Sequence, residues 1–214
     1  MLKLLRDRRI ASGMLAAMLL FIGQFALFTY LRPSLETVTG VDVTTLSVLL
    51  LIVGISGFAG TYLFGGVLKD RMRATLVFIP SVMALVAVAL AVLGTSFWPT
   101  AALLGIWGLV STAAPVAWST WLTRTVPDDA EIGGGLMVAV IQLAITIVAA
   151  AGGLVYDATG PVIDFWSSGA VLVLAAVLAF AADQAAKKAS AADRPSPTMS
   201  KAHRVIPNPA PVLK

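Results

Sequence analysis

Six apolar runs of roughly 20 residues, none containing Asp, Glu, Lys or Arg, constrain this chain more than any other feature. They cover residues 10–31, 46–68, 74–93, 101–122, 132–155 and 165–182. A helix needs about 20 residues to cross about 30 Å of hydrocarbon, and lipid offers no partner for a backbone N–H or C=O, so only helices and closed barrels span it. A membrane barrel would show runs of about ten residues alternating apolar and polar. No such alternation occurs, and the expected fold class is an all-α membrane protein with six transmembrane helices. Composition agrees: 58% of the 214 residues are hydrophobic and only 12% are charged, against about 25% charged in a soluble domain.

The charges report orientation. Every Lys and Arg except Arg32 falls on one side of the predicted spans, and cytoplasmic loops retain positive charge. Both termini are therefore expected in the cytoplasm, with the chain multi-pass in an inner (cell) membrane. The net charge of +4 is then a product of topology and points to contact with anionic membrane lipid, not with nucleic acid. Residues 1–9 form a short cytoplasmic segment and 10–182 the transmembrane domain. The first run is longer than the apolar part of a signal peptide and lacks a small-x-small cleavage site, so it should remain in the mature protein. Residues 183–214, with Pro195, Pro197, Pro207, Pro209 and Pro211, are expected to form a disordered cytoplasmic tail.

Covalent chemistry is not expected. Gly54-Ile55-Ser56-Gly57 spells the GxSG of intramembrane serine proteases, but a serine nucleophile needs a base within reach. The single histidine, His203, lies in the tail. Ser56 and Gly60, like Ala149 and Gly153, are better read as small-residue stripes for close helix packing. Asn208-Pro209-Ala210 is a single copy of a motif that channels use in pairs. With no cysteine, no phosphate-binding GxxxxGK[ST] and no ligand cluster, neither metal nor cofactor is expected.

The loop Gly65-Gly66-Val67-Leu68-Lys69-Asp70-Arg71-Met72-Arg73-Ala74 resembles the G-x-L-x-D-R-x-G-R-R loop after the second helix of each half of a major facilitator superfamily transporter. Gly66, Leu68, Asp70, Arg71 and Arg73 match. The glycine before the last arginines is missing, and Ala74 stands where a second arginine is usual. Phe28-Thr29-Tyr30-Leu31-Arg32-Pro33, Trp107-Gly108 with Pro115, and Gly152-Gly153-Leu154-Val155-Tyr156-Asp157-Ala158-Thr159-Gly160 resemble the ends of helix seven, helix ten and helix eleven in the drug:proton antiporter or arabinose-efflux-permease-like group. Gln142 departs from the Asn-x-G that this group often carries.

The resemblance implies helices seven to twelve, built as two inverted three-helix repeats. It implies efflux of a small molecule (a drug, sugar or purine nucleoside) by proton-coupled alternating access. A partner would be required, either an N-terminal half-transporter or a second copy in a homodimer. Gly66, Asp70, Arg71 and Arg73 would form a gating loop, with Asp70 accepting hydrogen bonds from a helix N-terminus of the facing half. The first and fourth spans would face the cavity, the second and fifth the other half, and the third and sixth lipid. Gln24, Tyr30, Trp107, Ser111, Trp118 and Gln142 would line the cavity, and Pro115 would kink the fourth span. Trp98, Trp121 and Trp166 read as an interfacial belt. No carboxylate or histidine lies within the six runs, so the coupling group would come from the partner half, or from Asp157 or Asp164 at the external rim. Two other readings are a truncated, non-transporting remnant or assembly subunit, and the membrane domain of an ATP-driven exporter, for which loops 69–73 and 123–131 are too short to dock an ATPase.

Overall fold

A computed structural model describes residues 4–159 and 161–192. Among the described residues every regular element is helical. Six helices are long and apolar enough to cross a membrane: Arg8–Thr39, Val43–Gly66, Arg71–Leu93, Phe97–Thr125, Pro127–Gly152 and Ile163–Gln184. They are called the first to sixth spans below.

Several boundaries differ from the hydropathy reading because hydropathy and helix propensity end at different places. The first helix continues through Arg32 and Pro33 and closes in a π turn, Leu35–Thr39, followed by Gly40 at φ 71°. That left-handed dihedral is open to glycine. Arg32 Nε and Glu36 Oε1 meet at 2.9 Å one turn apart, and the hydroxyls of Ser34 and Thr37 donate to the carbonyls of Tyr30 and Pro33 at 2.7 Å each. The loop expected at 69–73 shrinks to one residue. Backbone helicity runs from Val43 to Leu93 except at Arg71 (φ −127°, ψ 33°), since Lys, Asp and Arg are charged without being strong helix breakers. At the other end, the helix Pro161–Ala192 carries on ten residues beyond the predicted start of the tail at 183. The alanine-rich sequence there ends the greasy run without ending the helix. The rest of the predicted tail, including His203 and Asn208-Pro209-Ala210, lies outside the described residues.

Glycines set how closely the spans approach. A Cβ on Gly60 would strike the backbone of Leu109, and one on Gly108 the backbone of Val53, while one on Gly57 would fall 2.7 Å from Thr112 Cγ2. The second span therefore packs backbone to backbone on the fourth, and the small-residue stripe runs through Gly57 and Gly60, with Ser56 to one side. In the other repeat, a Cβ on Gly152 would fall 2.9 Å from Tyr30 Cε2, so the fifth span seats the Tyr30 ring of the first. Of the expected pair, Gly153 lies beside the same ring, where an added Cβ would fall 3.6 Å from the Tyr30 hydroxyl, and Ala149 is exposed. The second span lying on the fourth and the fifth on the first is the exchange that two inverted repeats of three helices produce. Gly23 accommodates Leu172 and Ser168 of the sixth span, and Gly169 accommodates Val88 and Ala84 of the third, which closes the bundle.

These contacts generate a prediction. Gly60→Val and Gly108→Val each force a side chain into a neighbouring backbone and should destabilise the purified chain by at least 1–3 kcal/mol, read as a lower midpoint of thermal unfolding in detergent. Gly65→Val, where nothing lies within 4 Å of the added Cβ, is expected to leave that midpoint nearly unchanged.

Candidate functional site

Proline organises the middle of the bundle. Pro115 has no N–H, so the carbonyl of Ser111 one turn earlier loses its helical partner. The fourth span breaks here into Phe97–Ser111 and Ala113–Thr125. Lipid cannot satisfy the freed carbonyl, and side chains do so instead. Gln24 of the first span donates Nε2–H to Ser111 O at a long 3.5 Å. Thr112 Oγ1 lies 2.8 Å from Gly57 O and 3.0 Å from Gly108 O, so its single proton ties the break to the second span. Gln24 Oε1 is buried without a hydrogen-bond partner. The expected cavity residues Gln24 and Ser111 are thus brought together at the kink that Pro115 was expected to create.

Other expected wall residues are placed differently. Trp107 and Trp118 are each only 1% exposed and belong to the packed core of this bundle. The Trp118 ring meets Trp121 edge-on at 5.6 Å, and Trp121 fills the space over Gly13, so Trp121 packs inward instead of joining an outer belt. Gly13 of the first span leaves room for the Trp121 indole. Tyr30 is half-buried and stacks on Tyr156 at 4.9 Å. Gln142 is exposed on the fifth span, apart from the Gln24–Ser111 pair.

The open faces belong to the second and fifth spans, the least buried of the six. On the second, Ile55, Phe58 and Tyr62 form an outward stripe at helical spacing, with Phe58 82% and Tyr62 83% exposed. On the fifth, Val138 and Leu143 point outward. In the expected gating loop, Gly66, Arg71 and Arg73 are exposed, whereas the side chain of Asp70 lies outside the described residues.

Arg73 Nη1 instead approaches Asp183 Oδ1 of the sixth span at 3.8 Å. A cavity of about 170 Å³ opens beside this pair, lined by Arg9, Arg73, Trp118, Trp121 and Asp183. Sequence reasoning missed Asp183 because it was assigned to the tail; its signal was its place as the first charge after the sixth run. Outside the spans, the Asp42 carboxylate accepts from Thr45 N–H at 3.0 Å and caps the second helix. Its hydrogen bonds from Thr45 hold this carboxyl below the usual aspartate value.

Pairing of Gln24 with the carbonyl released by Pro115 predicts non-additivity. Gln24→Leu should cost about 1 kcal/mol in the native background and markedly less in Pro115→Ala, where a backbone N–H again reaches Ser111. A double-mutant cycle of thermal unfolding in detergent checks this, and strictly additive losses would contradict the pairing.

Comparison with known proteins fits the geometry. Over 177 residues the chain is 51% identical to the transcription regulatory protein OpdE of Pseudomonas aeruginosa, covering 82% of this chain and 44% of that protein. Over 178 residues it is 42% identical to the purine ribonucleoside efflux pump NepI of Salmonella typhimurium, covering 83% of this chain and 45% of the pump. The NepI of Salmonella enteritidis is 41% identical over the same length and shares. The chain spans less than half the length of these relatives. Residues 4–213 match the family described as Major Facilitator Superfamily, and with six membrane-length helices wound as paired repeats, this chain belongs to that superfamily.

Proposed function

We propose that the chain is one six-helix half of a major facilitator efflux transporter, and that a second bundle covers its second and fifth spans. The observation that carries this reading is the outward apolar stripe through Ile55, Phe58 and Tyr62, lying in the spans that face the opposite half in this fold. The covering bundle is an N-terminal half or a second copy related by a two-fold axis along the membrane normal. Substrate passes between the bundles, with the kink at Ser111–Pro115 and the polar groups of Gln24, Tyr30 and Gln142 on this side of the route.

Purine ribonucleosides are the substrate class to test first, because the relatives of 41–42% identity are named for their efflux. Drugs and sugars follow as small amphipathic or polar compounds. The chain acts by transport and not by covalent catalysis, and a proton gradient supplies the driving force. The basic end carrying Arg9, Arg71, Arg73 and Arg124 faces the cytoplasm of a cell with an inner membrane, in contact with anionic lipid. Asp70, Arg71 and Arg73 close that end against the partner, and the Arg73–Asp183 pair holds the third span to the sixth beside them.

A non-transporting regulatory or assembly role is the second reading, favoured by the 51% identity to a protein named for transcription regulation. One assay separates the two. Inside-out vesicles holding the chain with its second bundle should accumulate radiolabelled purine ribonucleoside when an inward-acid proton gradient is imposed. Asp70→Asn should lower that uptake at least tenfold with insertion unchanged. No uptake above chain-free vesicles, for nucleosides, sugars or drugs, would contradict transport and leave the second reading.

A further inference from the structure

Asp164 stands out among the described carboxylates. It lies within the sixth span, it is 2% exposed, and its Oδ2 is buried without a hydrogen-bond partner. A carboxyl group buried among apolar side chains at the end of a span is costly unless it is paired, and ionisable groups within spans mark ion and proton routes. The two hydroxyls nearest in sequence are committed elsewhere. Ser167 Oγ donates to the backbone carbonyl of Asp164 at 2.9 Å, and Ser168 Oγ donates to Gly23 O of the first span at 2.6 Å.

Asp164 borders a cavity of about 150 Å³ between the first, fifth and sixth spans. Ile22 and Ala26 of the first span and Val148 and Ala151 of the fifth make its walls apolar. No other titratable residue lines it; Tyr30 packs on Gly152, which borders it, and the side chain of Asp157 lies outside the described residues. Such a volume admits several waters, each needing roughly 15 Å³ of this kind of space. Asp164 also sits in the first turn of its helix, where unpaired backbone N–H groups favour negative charge. An apolar wall and a helix N-terminus therefore pull on the same group in opposite senses, and water in the cavity decides between them.

The wall is also where the fifth span is irregular. Val148–Gly152 forms a π turn, and Val148, Ala151 and Gly152 all border the cavity. Single π turns inside α-helices recur at functional sites.

We infer that Asp164 is the group of this chain that takes up and releases the proton exchanged for the exported compound, in a cavity bordered by the π turn of the fifth span. The step is a single proton binding to, and leaving, a carboxylate oxygen, with no other bond changed. This rests on the transport reading above and goes beyond it by placing the coupling site in this chain instead of in its partner.

Two measurements test it. First, pH-difference infrared spectroscopy of the full chain in lipid should show a buried carboxylic C=O band that is lost as pH rises and is absent in Asp164→Asn. A band that persists in Asp164→Asn would overturn the assignment, and this arm needs neither partner nor substrate. Second, in vesicles holding both bundles, Asp164→Asn should lose gradient-driven uptake at least tenfold yet keep nucleoside exchange at zero gradient, with Asp164→Glu restoring part of the driven uptake. Equal loss of both modes in Asn and Glu variants that insert normally would make Asp164 a structural residue and overturn the inference. Undiminished driven uptake in Asp164→Asn would overturn it while leaving the transport reading intact. If the unmodified chain supports neither mode, the transport reading fails and the coupling role fails with it.

Discussion

The bundle depends on the inability of hydrocarbon to accept or donate a hydrogen bond. Side chains that reach a backbone carbonyl on another span are where the spans are tied together. Pro115 frees Ser111 O, to which Gln24 donates from the first span. Beside the same break, Thr112 reaches Gly57 O on the second. Ser168 donates to Gly23 O and joins the sixth span to the first. Thr39 Oγ1 donates to Gly94 O at 2.6 Å, which fixes the far ends of the first and third spans. Polar side chains that look like a substrate wall in the sequence are spent partly on this internal task.

How much was legible follows from the same physics. Six charge-free runs announce six helices, because length and the absence of charge are all a span requires. Helix ends were harder to read: Arg32, Pro33 and the alanines after Ala182 alter hydropathy without stopping the helix. Arg71, where the helix is interrupted, lies in the loop that the motif resemblance picked out, and the break between Ser111 and Ala113 precedes Pro115. The resemblance did not reveal that Trp107 and Trp118 are buried in the core, since the burial of an indole depends on how the neighbouring helices pack. Counting charges within the runs left Asp183 in the tail and placed Asp164 only as a candidate at the external rim. Each sits one residue outside an apolar run, and only the packing of the sixth helix against the first and third draws them into the protein.

Division of labour among the spans is the consequence for function. Close contact through Gly60 and Gly108 joins the second span to the fourth, and Gly152 seats the Tyr30 ring of the first span against the fifth, while the second and fifth spans stay the least buried of the six. Among the described residues the backbone of the spans is irregular at Leu35–Thr39, Arg71, Thr112 and Val148–Gly152.

The central claim, that another bundle covers the second span, is open to a direct measurement because the sequence contains no cysteine. A single Tyr62→Cys substitution supplies one reporter on the most exposed part of the stripe. In native membranes, a short bifunctional or oxidative cross-linker should join it to a second polypeptide or to a further bundle on the same one, and mass spectrometry would identify the joined segment. A cysteine at this position that reacts with lipid-phase reagents as readily as one at Leu85, and forms no cross-link at any linker length, would contradict the account.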